Sequence, residues 1–425
     1  MGEFNTSVLL KEELCFGCTT CLKHCPTGAI RVRNKKASII KEFCIDCGEC
    51  IRVCPHHAKK ANYDKFDILT KFKYKVALPA PSFYGQFNNL EDTNIVLTAL
   101  KLMGFDDVFE VGAAAELVSE ASRKYIATHQ EQKPFISTAC PTVVRLIRVR
   151  FPELIEHLLP INAPIDFAAE LAVKKAMKET GLKREDIGII FITPCPAKVT
   201  AIRNPLWQEK SEIDGVLAVK DVYPKILPYM NKAANGNLEE LSTAGKIGVF
   251  WGASGGEVSG LLTDKYIAVD GIENVIKVLE DLEDRKINDL DFLELNACSG
   301  GCVGGVLQVE NPFVAKTKLK ILRKYLPVSS NHLEDFNLQN MYWDKEIEYE
   351  PVFRLGKNVK ESMMLMREAD DIEKRLPGLD CGSCGAPTCR ALAEDIVKGL
   401  ANETDCVPLL KEYLKKISED FGKLQ

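Results

Sequence analysis

Hydrophobic and polar positions fall into two textures along this chain. From about residue 73 to 310, short apolar and β-branched runs recur: YKVALPA, DVFEVG, PFISTAC, IGIIFITPC, KIGVFWG and FLELNAC. Amphipathic segments such as residues 166–180, DFAAELAVKKAMKET, separate them. Short apolar runs bounded by Gly or Pro read as strands, and a 3.6-residue period reads as helix. Their alternation predicts an α/β region with mostly parallel sheets flanked by helices. Near the end, Arg390 to Leu400 carries a helical period, and the polar stretch 343–358, WDKEIEYEPVFRLGKN, reads as a boundary. The expected division is a leader over 1–8 (its MGEF a possible cloning remnant), an N-terminal domain over 9–70, a central domain over 73–345 and a small helical domain over 356–425.

Composition narrows the class. The chain has 425 residues, 46% hydrophobic and 27% charged, enough for two to four packed domains and unlike a disordered chain. With 55 basic against 60 acidic residues the net charge is −5, which lacks the basic footprint of a nucleic-acid binder. No apolar run reaches the roughly 18–20 residues of a membrane span, and Met1 to Ser7 has no apolar signal core, so a cytoplasmic protein is expected.

The 16 cysteines fall into sets of four. In a reducing compartment that pattern points to metal rather than to disulfides. CFGCTTCLKHCP at residues 15–26 and CIDCGECIRVCP at 44–55 are the same C-x2-C-x2-C-x3-C-P pattern, shifted by 29 residues. Three thiolates on a tight loop hold one cubane and the fourth crosses to the other. Cys15, Cys18, Cys21 and Cys54 are therefore expected to bind one 4Fe–4S cluster, and Cys44, Cys47, Cys50 and Cys25 the second. Zinc rarely uses this doubled spacing. The flanking His24, His56 and His57 read as surface residues, since every ligand place is filled. Cys381, Cys384, Cys389 and Cys406 form another set, read as a further 4Fe–4S cluster with zinc as the competing content. The remaining four, Cys140, Cys195, Cys298 and Cys302, are dispersed, yet the first three follow predicted strands. Ligands gather at the carboxyl ends of parallel strands, so these four can converge on one centre. A lone Cys195 would read equally well as a core residue; Pro141, Pro194, Pro196 and Gly300, Gly301, Gly304 and Gly305 beside these cysteines favour close approach to a cofactor.

The dispersed set carries a family resemblance. STACP at 137–141, TPCPAK at 193–198 and ELNACSGGC at 294–302 resemble the three signatures of iron-iron (FeFe) hydrogenases, and APS at 80–82 and WGASGG at 251–256 resemble loops that wrap their active site. The resemblance covers residues 9 to about 330, and the ferredoxin-type repeat is a common attachment in that family. It implies a two-lobed H-cluster domain, a ferredoxin-like α+β domain before it and a helical 4Fe–4S domain after it. The implied cofactors are three 4Fe–4S clusters and an H-cluster, a cubane joined to a two-iron unit that carries carbon monoxide, cyanide and an amine dithiolate. Without maturation the chain would hold cubanes alone. By position, Cys140, Cys195, Cys298 and Cys302 hold the cubane and Cys302 bridges to the two-iron unit. Lys198 would donate to a cyanide, Ala80, Pro81, Ser82 and Pro194 would line the cyanides, and Trp251 and Gly252 would lie near the distal iron.

The departures matter as much. Ala139 replaces the cysteine that passes protons to the cofactor, and Thr193 and Asn296 replace methionines that face the two-iron unit. An ungapped alignment puts Ser122 and Tyr125 at the usual relay glutamates. Glu257 and Glu294 are candidate replacement relays, against the commoner reading of structural carboxylates. The expected function is slow, reversible conversion of H2 to protons and electrons for H2 or redox sensing, with electrons passed to a redox or signalling partner protein. A homodimer is one candidate assembly; neither nucleic acid nor membrane is expected as partner. The competing readings are a catalytic ferredoxin-linked hydrogenase with an unusual proton pathway, and a non-catalytic iron–sulfur assembly protein lacking the two-iron unit.

Overall fold

The computed structural model describes residues 6–333, 341–352 and 354–422; residues 1–5 of the expected leader lie outside the described residues. Two compact units divide the chain: Met1–Cys44, Glu49–Ala61 and Glu350–Gln425 form one, and Ile45–Gly48 with Asn62–Tyr349 the other.

In the first unit, strand β1 (Val8–Leu10) pairs antiparallel with β4 (Lys59–Ala61), and β2 (Ile30–Arg33) with β3 (Lys36–Ile39). The β2–β3 turn is made by Asn34 and Lys35, both at positive φ. The short helices Thr20–Lys23 and Glu49–Arg52 each carry the third cysteine of a repeat. The backbone follows the 29-residue repeat: Gly17 and Asp46, Thr19 and Gly48, and Gly28 and His57 all take positive φ. The repeat cysteines therefore sit on matched left-handed turns.

The C-terminal part of this unit is helical, with helices Val359–Arg375, Cys389–Val397 and Val407–Gly422. Asn358 and Thr388 cap the first two through their side chains, each satisfying an otherwise orphaned N–H. This part packs on β2: Val32 N–H donates to Gly385 O at 2.9 Å, and Arg33 donates to Cys384 O. The buried Asp395 carboxylate takes Arg31 at 2.7 Å and Arg33 at 3.0 Å.

The second unit is α/β with parallel sheets flanked by helices, the class expected from sequence. Strands β5 (Tyr74–Pro79), β6 (Asp107–Val108), β8 (Ile187–Thr193) and β9 (Gly215–Ala218) form a parallel sheet in the order β6-β5-β8-β9, with β7 (Phe135–Ile136) assigned elsewhere. Strand β7 pairs in parallel with β11 (Phe292–Asn296), which pairs with β10 (Tyr266–Asp270). All seven residues of β8 are buried, as a strand covered on both faces requires. The helix Pro164–Thr180 contains the predicted amphipathic segment and ends on Gly181 in the left-handed region. Among the described residues no helix is long and apolar enough to cross a membrane.

One predicted strand is a helix. KIGVFWG forms the short helix Lys246–Phe250. Its local β propensity yields to tertiary contacts. The buried Glu116 of helix Val111–Thr128 accepts from Gly245 N–H at 2.6 Å and Gly248 N–H at 3.3 Å, supplying an anion to the helix start. A Cβ on Gly248 would stand 2.2 Å from Gly112 O, so only glycine permits this crossing.

Candidate cofactor pocket and cysteine sites

The chain turns into the site at the carboxyl ends of four parallel strands. Ala80, Pro81 and Ser82 follow β5; Ala139 and Cys140 follow β7; Pro194, Cys195 and Lys198 follow β8; Asn296, Cys298 and Cys302 end or follow β11. Cys140 and Cys195 are N-caps of the helices Pro141–Arg150 and Pro196–Arg203, each with proline at the first helical position.

These loops border one pocket. Of the residues singled out from sequence, Ala80, Pro81, Ser82, Ala139, Pro194, Lys198, Trp251, Gly252, Glu257, Glu294, Asn296 and Cys302 line it. Thr193 and three of the four cysteines, Cys140, Cys195 and Cys298, do not. Thr193 is buried, with its hydroxyl donating to Cys195 O at 3.0 Å and accepting from Cys195 N–H at 3.4 Å, so it shapes the ligand loop instead. Ser122 donates back to Val118 O at 2.8 Å, and the Tyr125 ring stacks on His129 at 3.9 Å; both serve helix packing. Val111, Ala115, Pro164, Ile165 and Phe191 complete the wall. They carry no chemical signature, so sequence reading passed over them.

Close backbone contacts set the loops. A Cβ on Gly252 would stand 2.4 Å from Ser82 N, and one on Gly301, which has φ +89°, 2.4 Å from Ser254 N. Gln308 bridges two walls, donating to Ser82 Oγ at 2.8 Å and Cys302 O at 3.1 Å. Trp251 is aimed by its Nε1–H, which donates to Ser119 Oγ at 2.9 Å.

The electrostatics are those of a cation with sulfur neighbours. Lys198 is 7% exposed, and its Nζ donates to Ala139 O at 3.1 Å. Burial disfavours its charge, but Cys302, Cys195, Cys140 and Asp166 outweigh that and hold its pKa above the ordinary lysine value. Burial pushes the Cys195 thiol up to about 12 and raises Cys302, with Lys198 opposing both. Thiols so placed ionise when metal takes the proton's place, and a buried ammonium then has anions to face. This pocket thus fits an anionic, thiolate-anchored metal cofactor. Cys140, Cys195, Cys298 and Cys302 could hold it, with Lys198 available to an anionic ligand.

The two carboxylates differ in their company. Glu294 accepts from Gly255 N–H at 2.8 Å, Val258 N–H at 3.0 Å and Asn296 Nδ2 at 2.9 Å. Glu257, 6% exposed, accepts from Ser137 Oγ at 2.6 Å. Burial and the neighbouring Glu294 charge hold Glu257 well above the usual carboxylate range, against Ser137 and Lys198. Burial raises Glu294 too, but its three donors favour the ionised form. Asp166, behind Lys198, is pushed up to about 6 by burial, opposed by bonds from Trp207 Nε1 at 3.1 Å and Gln208 Nε2 at 3.0 Å. Sequence reading missed Ser137 and Asp166 as supporting groups.

None of the sixteen cysteines forms a disulfide. In the first unit Cys15, Cys18, Cys21 and Cys54 line one cavity. Ala58 N–H donates to Cys54 Sγ at 3.3 Å, and Ala29 N–H, one repeat earlier, to Cys25 Sγ at 3.2 Å. His24, His56 and His57 are exposed. Among the described residues no three Cys, His, Asp or Glu side chains converge as around a single ion. Thiolates that each take a different iron of a cubane stand farther apart than that.

The fold and the grouped cysteines, none of them in a disulfide, are those of the iron–sulfur class of proteins. The family model described as iron only hydrogenase large subunit, C-terminal domain, matches residues 73–266 and 253–306, more than half of the chain. A 4Fe-4S dicluster domain matches residues 7–55, and an Fe-S cluster family matches residues 376–408. Iron hydrogenase 1 of Clostridium pasteurianum is 23% identical over 287 residues, 55% of this chain and 50% of that protein. NADP-reducing hydrogenase subunit HndD of Solidesulfovibrio fructosivorans is 21% identical over 347 residues, 70% of this chain and 56% of that protein. The chain thus spans about half the length of these two curated relatives. A solved FeFe-hydrogenase from Chlamydomonas reinhardtii superposes with a TM-score of 0.50 at 14% identity, covering 67% of this chain and 98% of that one, a likeness of fold. The chain belongs to the iron-only, or FeFe, hydrogenase family.

Proposed function

We infer that this chain converts H2 reversibly to two protons and two electrons, slowly, and passes the electrons through its iron–sulfur sites to a partner protein as an H2 or redox sensor. In this reading Cys140, Cys195, Cys298 and Cys302 hold an H-cluster, which supplies the heterolytic chemistry on H2. Lys198 orients and charge-compensates an anionic ligand, a role that its burial beside Ala139 O supports. Ala80, Pro81, Ser82, Pro194, Trp251 and Gly252 exclude water and hold the cofactor in register.

The observation that carries slow turnover is the wall position Ala139, which has no ionisable group where the family's active members hold a proton donor. General acid–base groups are typically worth about 10²–10⁴ in rate. Glu257 supports a substitute route: it lines the cavity, keeps its proton through burial, and is oriented by Ser137. The neighbouring Glu294 adds to that effect of burial. The C-terminal cysteine set supports an electron exit, because a Cβ on Gly382 would lie 3.2 Å from Leu22, beside Cys21 of the first repeat.

The test is to expose the cofactor-loaded protein to H2 and follow two signals together. Sensing requires reduction of the iron–sulfur clusters, seen by electron paramagnetic resonance, with low turnover against a dye acceptor. Rapid dye reduction would favour the catalytic reading, and no cluster reduction by H2 would refute both.

A further inference from the structure

The two ferredoxin-type repeats match closely in backbone, yet one position buried in both copies carries an apolar side chain in one and a charged one in the other. Shifting Ile30 by the 29-residue repeat lands on Lys59. Ile30 is a core residue of β2. Lys59, at the start of β4, is 1% exposed, and its Nζ has no hydrogen-bond partner. It lines the cavity shared by Cys15, Cys18, Cys21 and Cys54. Burying an ammonium without a partner is costly unless an anion fills the space before it. Nothing else in the repeat explains a lysine where its twin has isoleucine.

Asp46, buried where the first repeat has Gly17, is a second charge difference, but it is already paired, with Arg145 at 3.1 Å and the Thr200 hydroxyl at 2.7 Å. Each crossing cysteine receives a backbone N–H, from Ala58 to Cys54 and from Ala29 to Cys25. The nearby Lys36 is solvated and donates to Glu12 O and Cys15 O, so its charge is screened. Lys59 is the buried charge left without a partner: it favours the thiolates of Cys21 and Cys54 in the first set, reaches Cys50 of the second as well, and lines the cavity of the first. One-electron reduction adds a negative charge to a thiolate-bound cluster, and a fixed buried cation favours the more negative state.

We propose that the Lys59 ammonium sets the potential of the cluster held by Cys15, Cys18, Cys21 and Cys54, raising it above its repeat twin so that an electron from an external low-potential donor rests there. This rests on the reading that these four cysteines bind a 4Fe–4S cluster. Lys59 is a tuning residue, and the readout is a potential rather than turnover.

The experiment is a redox titration followed by electron paramagnetic resonance on the full-length chain, reconstituted with iron and sulfide. Wild type is compared with Lys59→Met, Lys59→Ile and Lys59→Arg, with iron and sulfide counted in each. The expected result is that Met and Ile lower one cluster's potential, changing its oxidised-to-reduced ratio at fixed potential at least about tenfold, or about 59 mV for one electron. Arg should hold the ratio within about threefold, and the shifted signal should be the one that Cys18→Ser alters. An unchanged ratio, an equal shift at both repeat clusters, or a shift confined to the signal that Cys18→Ser spares would overturn the proposal. Loss of the cluster in Met and Ile but not in Arg would also overturn it, making Lys59 an assembly residue. Wild type lacking this cluster by iron count would refute the ligand reading itself, a failure distinguishable from an unmoved potential.

Discussion

Replacing Glu257 by glutamine removes one proton-transfer group and little else. The amide matches the carboxyl in size, and its oxygen can still accept from Ser137, which now donates at 2.6 Å. Nothing in the cavity need move. If Glu257 carries the proton that Ala139 cannot, the variant loses a general acid–base step. Such steps are worth about 10²–10⁴, or about 2.7–5.4 kcal/mol of barrier. We expect the lower end, about a hundredfold, because the parent is already slow for want of a donor at Ala139. The assay is H2 oxidation with a dye acceptor and H2 evolution with a reduced one, on protein whose infrared bands match wild type. Ser137→Ala is the companion. The Ser137 bond favours the ionised form, so its removal should raise the Glu257 pKa further and move the pH profile toward alkaline. Glu257→Gln with turnover within about threefold of wild type would refute the relay.

Other perturbations test other layers of the account. Gly252→Ala places a Cβ 2.4 Å from Ser82 N; it should cost about 1–3 kcal/mol and reduce uptake of the two-iron cofactor while cubane iron stays constant. Asp395→Asn leaves Arg31 and Arg33 without their shared anion. It should cost up to about 3–5 kcal/mol, less because the Arg33 side chain is 30% exposed, and speed proteolysis of the C-terminal helices. Asp166 gives a pH signature. Its folded pKa of about 6 lies above the ordinary 3.8, so its contribution is full below about pH 3.8 and lost as pH rises through 6, a change of about 3 kcal/mol. The wild-type melting point minus that of Asp166→Asn should therefore fall across this window; a flat difference would count against the assigned burial.

Much of the site was legible because its chemistry is attached to local patterns. The apolar runs before Cys140, Cys195 and Cys298 do form β7, β8 and β11, and their carboxyl ends deliver the loops to one cavity. Lys198 could be read because it sits three residues beyond a strand-end cysteine, at the first turn of a proline-started helix. What sequence missed is non-local. The segment KIGVFWG has strand-like composition, but Glu116 caps it from another helix and Gly112 faces Gly248. Thr193 was expected on the cavity wall, yet its hydroxyl satisfies the Cys195 backbone in the turn. Ser137 and Asp166 act through partners 120 and 41 positions away, distances along the chain that no local pattern encodes. Strands β9 and β10 were passed over, although β6 and β7, which were read, are shorter still.

The central claim is that Cys140, Cys195, Cys298, Cys302 and Lys198 hold an H-cluster. Its most direct test is the infrared spectrum of the full chain after it is offered the two-iron cofactor. Terminal carbon monoxide and cyanide bands that shift under H2, with the cyanide bands moved by Lys198→Met, are the predicted result. A spectrum without those bands, from protein whose cubanes are all intact by iron count, would contradict the claim.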